Sequence, residues 1–261
     1  MYAKEPRCKY NNSPLAEVIC QLRFPQILSI DANPPAAFQE EIRGEFPLYA
    51  ANKEASAPKL TGVPGNLKLE NPPATFNYQF STPDGSWRIN LTSKFISLSC
   101  NSYTTWEDFA ARLDTPLAAF IKIYKPALFE RIGLRYINFF SKQQLNLDSA
   151  SYSEMFTPAY LGLLNEDDID ERSANRCSVD AEIAVRSGCN AKIHAGPGIV
   201  KRNGQTDGEI RFIFDLDVFM SGNIPVNYSA GALQTLHDQA FPIFRGAITD
   251  LTHNAMDPEP I

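Results

Sequence analysis

Two carboxylates stand two residues apart, at Asp215 and Asp217, inside the segment 209–219. Apolar and polar residues alternate along this segment, and a period of two predicts a strand with one buried face. Both aspartates therefore point to the same side of a sheet, about 7 Å apart. Such a pair could hold a divalent cation through bridging water or substrate oxygens. Because isolated D-x-D patterns are common, the plainer interpretation is a solvated or salt-bridged sheet face.

Charged residues of two other predicted strands could complete a site with these aspartates. Glu17 and Arg23 share one face of the first strand, and Arg131 and Arg135 share one face of the strand at 130–140. If these faces coincide, the guanidinium groups can bind a carboxylate or phosphate at two points. The same residues would also suit an internal ion-pair network. The candidate binding residues are therefore Glu17, Arg23, Arg131, Arg135, Asp215 and Asp217.

Histidine and cysteine offer little further chemistry. His194 lies on a predicted strand, His237 on the last helix and His253 near the end, without metal-ligand spacing. A dyad of His194 with Cys189 or with an acid of the neighbouring strand is conceivable, but a satisfied polar residue is the plainer interpretation. The five cysteines include no C-x-x-C pair. We predict no catalytic residue, no metal site and no cofactor.

Composition limits the class of protein. The chain has 261 residues, 44% of them hydrophobic and 21% charged, as in an ordinary globular protein. Its formal net charge of -6 disfavours nucleic acid as a partner. No basic-then-apolar signal segment and no apolar run of about 18 residues occurs, which predicts a cytoplasmic protein without a membrane partner.

Two blocks, 14–126 and 130–252, repeat one order of elements: a strand, a helix, three strands and a long helix. Alternation predicts strands at 15–24, 74–81, 86–92 and 95–100 in the first block, and at 130–140, 176–186, 190–199 and 209–219 in the second. This order predicts an α+β fold in which a duplicated unit forms a curved antiparallel sheet with helices packed on one side. The repeats are assigned to 1–126 and 127–261, as one compact domain.

Sequence patterns typical of helices lie between the predicted strands. Thr104 and Glu107 have capping-box spacing ahead of an apolar stripe, and Ser151 and Glu154 repeat that spacing before a helix predicted at 151–164. Residues 50–73 lack periodicity and predict a mobile surface loop. The acidic, proline-containing end at 253–261 predicts a short disordered tail.

Five strings, taken in order and with their spacing, resemble a sporadically distributed bacterial family of unknown function. They are SPLAEVICQLRF (13–24), SLSCNSYTTWEDFAARL (97–113), ERIGLRYIN (130–138), FDLDVF (214–219) and FRGAITDLT (244–252). The resemblance covers nearly the whole chain. It implies a stand-alone cytoplasmic protein of an accessory system, such as antiviral defence or mobile-element cargo, and it carries over no catalytic residue.

Three functions are consistent with these patterns. The first is a non-enzymatic binding protein whose polar sheet face or loops recognise a protein, either one encoded nearby or a second copy. The alternative is a metal-dependent hydrolase or phosphoryl-transfer enzyme that uses Asp215 and Asp217 with Arg131 or Arg135. The third is nucleic-acid binding across a saddle-shaped sheet, since the repeated unit is similar in order to the TATA-binding fold. The acidic balance disfavours the third function.

Overall fold

The computed structural model describes residues 2–54, 59–63, 66–70, 75–174, 176–201 and 204–260. The strands of the first half are β1 (Cys8–Tyr10), β2 (Leu15–Arg23), β3 (Leu48–Glu54), β4 (Lys59–Val63), β5 (Asn66–Glu70), β6 (Thr75–Ser81), β7 (Trp87–Leu91) and β8 (Phe95–Cys100). Those of the second half are β9 (Phe129–Phe140), β10 (Val179–Ala184), β11 (Asn190–Ile199), β12 (Ile210–Ile224) and β13 (Pro258–Pro260). The α-helices are α1 (Leu28–Ala32), α2 (Ala36–Ile42), α3 (Trp106–Tyr124), α4 (Tyr152–Met155), α5 (Ser229–Ala247) and α6 (Asp250–Ala255).

One antiparallel sheet of nine strands dominates the described part of the chain, in the order β10-β11-β12-β9-β2-β8-β7-β6-β3. Strands β2 and β9, the first of each predicted block, pair at the centre. From this pair outward, the three following strands of each block are added in the reverse of their chain order. The first half also contains β3, β4 and β5 between α2 and these strands, so the observed order agrees with the predicted unit only in part, and duplication of one unit stays a prediction.

The strands bury one face against the helices. Val18, Cys20 and Leu22 of β2 have no exposed surface, and alternate residues of the other strands belong to the same core. Helix α3 enters this core where Phe120 packs on Phe24 at 4.6 Å between ring centroids, and α5 enters it through Phe244. The opposite face carries mostly polar side chains. The predicted α+β class is confirmed.

Helix α3 begins one residue later than its capping pattern predicts. Its apolar residues recur every three or four positions, so one stripe faces the sheet. Thr105, not Thr104, is the N-cap, because its side chain accepts the Asp108 N–H. The helix ends at Tyr124, and the backbone of its C-cap, Lys125, is left-handed at φ 47° and donates its N–H to the Ile121 carbonyl.

The predicted helix at 151–164 is only partly formed. Its capping box is confirmed, since Ser151 accepts the Glu154 N–H and the Glu154 carboxylate accepts the Ser151 N–H at 2.7 Å. Yet α4 ends at Met155, and Phe156 turns extended to stack on Phe212 at 3.9 Å. Single 3-10 turns follow at Pro158–Tyr160 and Gly162–Asn165. Burial of Phe156 therefore outweighs the local helical pattern.

Two segments predicted without regular structure contain strands. Within 50–73, part of the sequence belongs to edge strand β3, and β4 pairs with β5 as a hairpin, whereas 55–58, 64–65 and 71–73 lie outside the described residues. The predicted disordered tail instead forms the second half of α6 and all of β13, which pairs with β1 near the N-terminus. The tail is therefore ordered by contacts with residues far away in the sequence, which its own residues do not predict.

Buried Arg245 holds both ends of the chain together. Its guanidinium lies 2.6 Å from Asp250 at the start of α6 and 3.4 Å from Glu5 in the N-terminal segment. Nearby, the Tyr10 hydroxyl and His253 Nδ1 lie 2.9 Å apart, and Met256 is fully buried. Among the described residues, no helix combines the length and the apolar character needed to cross a membrane.

Thr105→Ala should lower the free energy of unfolding by about 1 kcal/mol, the usual effect of losing an N-cap. The Thr105 hydroxyl accepts the Asp108 N–H at 3.2 Å. Thr104→Ala is the matched control, because Thr104 makes only a 3.4 Å bond to the exposed Asp108 carboxylate. Urea unfolding of both variants measures the difference. A larger loss in Thr104→Ala would return the cap to the position that the sequence predicts.

Candidate functional site

All six predicted binding residues lie on the face of the sheet opposite the helices, which we call the open face. Paired residues of an antiparallel sheet point to the same side. Glu17 lies opposite Ile137, which lies opposite Asp215. The next rows align Arg135 with Asp217, and Arg131 with Arg23. The structure therefore brings together the strand faces that the sequence could only assume to coincide, while a binding role for these residues stays a prediction.

Two ion pairs cross the boundary between β9 and β12 on the open face. Arg135 donates from both Nε and Nη2 to the two carboxylate oxygens of Asp215, and its Nε–Oδ1 distance is 2.7 Å. Arg131 Nη2 lies 2.7 Å from Asp217 Oδ2. The bond to Asp215 raises the pKa of Arg135. Both aspartates are thus engaged by arginines rather than free for another ligand.

Gly133 makes the second ion pair possible. Arg131 lies two residues from Gly133 on the same face, so its side chain must pass over Gly133 to reach Asp217. A Cβ at position 133 would stand 2.2 Å from Arg131 Nη1. The guanidinium also lies 4.4 Å from the ring centroid of Phe219, which stands opposite Gly133. The missing side chain therefore provides the space in which Arg131 stacks and pairs.

The rest of the open face differs between the two halves. Toward β7, small polar residues such as Ser97 and Ser99 continue the rows. Arg23 and Arg88 are exposed, and neither forms an ion pair with a described residue. At the centre, Ile19 and Ile137 are only partly buried. The open face thus combines an apolar centre, ion pairs such as those of Arg131 and Arg135, and arginines that have no ion-pair partner among the described residues.

Of the two dyads that the sequence allowed for His194, the structure contains the one with an acidic residue and not the one with Cys189. His194 Nδ1 lies 2.8 Å from Asp180 Oδ1 on neighbouring β10, and this bond lowers the pKa of Asp180. Cys189 is instead buried, with its Sγ directed to the Ser187 carbonyl at 3.7 Å, and burial raises the pKa of its thiol. No nucleophile is thereby activated. Over the ranges that the structure describes, no cluster of three or more potential His, Cys, Asp or Glu ligands is suited to a metal ion.

A second feature, on the helix-covered face, was not predicted from the sequence. It is a pocket of about 160 Å³ between α3 and α5, which we call the inter-helix pocket. Trp106 and His237 line it from the two helices, Tyr136 lines it from β9, and the segment Arg7 to Tyr10 lines it from the N-terminus. Trp106 belongs to the apolar stripe of α3, and the sequence placed His237 only on the last helix, without assigning it a partner. Nothing in the sequence indicated that the N-terminal segment reaches them.

His237 has an unusual environment in this pocket. Its ring stacks on Trp106, with 4.5 Å between centroids and 6° between planes. Its Nδ1 lies 2.9 Å from the Tyr136 hydroxyl, whereas Nε2 is buried and has no hydrogen-bond partner in the described part of the chain. Burial and the positive charge of Arg7 lower the pKa of His237 to about 4. The imidazole is therefore neutral at pH 7, with one nitrogen unsatisfied.

The chain matches no protein-family model and no curated protein sequence. The open face and the inter-helix pocket are therefore the two candidate sites of this protein.

Arg131→Ala and Gly133→Ala should act non-additively on stability. Gly133→Ala alone must displace the Arg131 guanidinium from Asp217 and Phe219. In an Arg131→Ala background the guanidinium is absent. Gly133→Ala should then raise the free energy of unfolding by about 0.5–1 kcal/mol, because alanine restricts the unfolded chain more than glycine does. Urea unfolding of the wild type, both single variants and the double variant gives a coupling of about 1 kcal/mol. Additive effects would show that Arg131 does not lie over Gly133.

Acidification should destabilise the protein through His237. Its pKa of about 4 in the folded chain is below the ordinary value of 6.5. Between pH 4 and pH 6.5 the unfolded chain therefore binds more protons than the folded chain. The free energy of unfolding should therefore fall as pH drops from 7 toward 4, by up to about 3 kcal/mol.

Urea unfolding at a series of pH values tests this dependence. His237→Gln should remove this part of the slope, while His194→Gln, a control on the open face, should keep it. A slope that survives unchanged in His237→Gln would assign the proton uptake to other groups.

Proposed function

We propose that this protein is a non-enzymatic binding protein that recognises a protein partner through the open face. The observation that carries the proposal is the arrangement at β2, β9 and β12, where partly exposed isoleucines are surrounded by arginines. Protein interfaces typically have an apolar centre with a polar rim, and arginine is enriched in them. The two arginines paired with aspartates are already oriented, so binding would order fewer side chains.

The open face is also large enough for such a partner. Strands about 4.8 Å apart make nine strands roughly 38 Å wide, and five or six residues of each strand add roughly 17–20 Å in the other direction. The product is close to the ~800 Å² that each partner contributes to an interface of standard size. A sheet of paired strands is rigid, and rigid surfaces bind at low entropic cost.

The biological setting belongs to the same proposal. The family resemblance supports a cytoplasmic protein of a bacterial accessory system, and the partner would be a protein encoded nearby or a second copy of this chain. The open face carries charges of both signs rather than a clustered basic surface, which supports a protein over nucleic acid. Glu17, Asp180, Glu182, Asp215 and Asp217 all lie on it, and carboxylates repel phosphates.

The metal-dependent alternative has less support. Asp215 accepts two hydrogen bonds from Arg135, and Asp217 pairs with Arg131. A divalent cation at either carboxylate would have to displace a guanidinium or share the site with its positive charge. The geometry of these carboxylates therefore supports the enzymatic hypothesis less than it supports partner recognition.

Negative charge introduced at the centre of the open face should release the partner. The tagged protein is expressed in a bacterium that carries its native gene neighbourhood, and the proteins retained at physiological salt are quantified. We expect Ile19→Glu combined with Arg23→Glu to reduce retention of a stoichiometric partner about tenfold or more, a loss typical of interface residues near the centre.

Leu163→Glu is the matched control, because Leu163 is 69% exposed and belongs to a turn on the helix-covered side. It should retain the partner. Circular dichroism confirms that both variants are folded. Equal retention by the two variants would exclude the open face as the recognition surface.

A further inference from the structure

The inter-helix pocket lies where the two halves of the chain meet on the helix-covered face. Trp106 comes from the helix of the first half and His237 from the helix of the second half. Tyr136 and Leu15 belong to β9 and β2, the two central strands. Ligand sites are frequently found at such junctions, where side chains of separate structural units converge.

The volume of the pocket limits the size of the ligand that it can bind. At about 160 Å³ it is too small for a nucleotide or a drug-sized molecule, which needs roughly 300 Å³ or more. A well-known engineered cavity of about 150 Å³ binds benzene. Most of the lining is apolar or aromatic, including Leu15, Leu216, Phe241 and Phe244. A single ring with one small substituent therefore fits in volume and polarity.

The polar groups of the pocket indicate which substituent the ring of the ligand would carry. Arg7 and Lys9 line the pocket and bring positive charge to it. Arg7 is 32% exposed, and its nearest carboxylate, Glu107, stands at 3.7 Å, beyond good hydrogen-bond distance. Its planar guanidinium therefore retains N–H donors that match a carboxylate in two-point geometry.

His237 provides a second and independent polar group. Its side chain is more than nine-tenths buried, and its Nε2 has no hydrogen-bond partner among the described residues. When the Tyr136 hydroxyl donates to Nδ1, Nε2 carries the ring proton and can donate it to a ligand oxygen. Buried polar groups without partners are uncommon in native proteins, and a bound ligand is one way to satisfy them.

We propose that the inter-helix pocket binds a small aromatic monocarboxylate of about the size of benzoate, with the ring against the apolar lining and the carboxylate on Arg7. This site is separate from the open face. The proposal does not depend on the proposed partner recognition, because the two surfaces lie on opposite sides of the sheet.

Calorimetric titration of the full chain with benzoate tests the proposal. We expect one site per chain and a roughly millimolar Kd, which is appropriate for so small a ligand. Toluene, which has the ring without the charge, should bind at least about tenfold more weakly, since it makes no hydrogen bond to Arg7. In NMR spectra, benzoate should shift the Trp106 indole signal and the His237 ring signals.

Two variants locate the site. Arg7→Gln should weaken benzoate binding about tenfold and leave toluene binding unchanged, whereas Lys4→Gln, an exposed cation in the same segment that does not line the pocket, should change neither. Ala240→Leu places a larger side chain in the lining and should abolish binding of both probes.

Three results would overturn the proposal. One is the absence of saturation by benzoate up to ~10 mM, since even a weak fragment site should fill in this range. Another is unchanged benzoate affinity in Arg7→Gln or in a folded Ala240→Leu protein. The third is equal affinity for toluene and benzoate, which would assign the pocket to neutral apolar molecules. Partner retention through the open face would be unaffected by Ala240→Leu, so failure of one proposal is distinguishable from failure of the other.

Discussion

Antiparallel pairing of β2 with β9 is the interaction on which the rest of this structure depends. It joins the two halves into one sheet and sets the register of both of its faces. Because side chains alternate, a slip of one residue would move Leu134 to solvent and Arg135 into the core. The open face and the inter-helix pocket therefore follow from one choice of register, since Arg135 contributes to the first and its neighbour Tyr136 to the second.

The two sites satisfy polar groups in different ways. On the open face, arginines and aspartates satisfy each other at the edge of solvent, and the absent side chain of Gly133 allows one of these pairs to form. In the inter-helix pocket, burial leaves His237 neutral and partly unsatisfied. A satisfied ion pair presents a fixed surface, which suits contact with a large partner. An unsatisfied buried nitrogen suits a small ligand that brings its own polar atom.

Local patterns predicted most of the sheet. Strand β11 begins and ends where alternation placed it, and β2, β8 and β9 differ from their predicted bounds by one residue at most. Two predictions were wrong where distant contacts outweigh local preference. Phe156 leaves the helical conformation to pack on Phe212, and the tail pairs with a strand almost the whole chain length away. Neither partner can be identified from the neighbouring residues.

The sequence by itself determined the α+β class, most of the central strands and the side of each strand on which the six candidate residues lie. Periodicity encodes these properties, because a strand or helix must bury one face whatever it packs against. Only the tertiary structure decided that Arg131 pairs with Asp217 over Gly133, and that Trp106, His237 and the N-terminal segment enclose a pocket. Those contacts depend on register and on the docking of segments far apart in the chain, which a one-dimensional pattern does not specify.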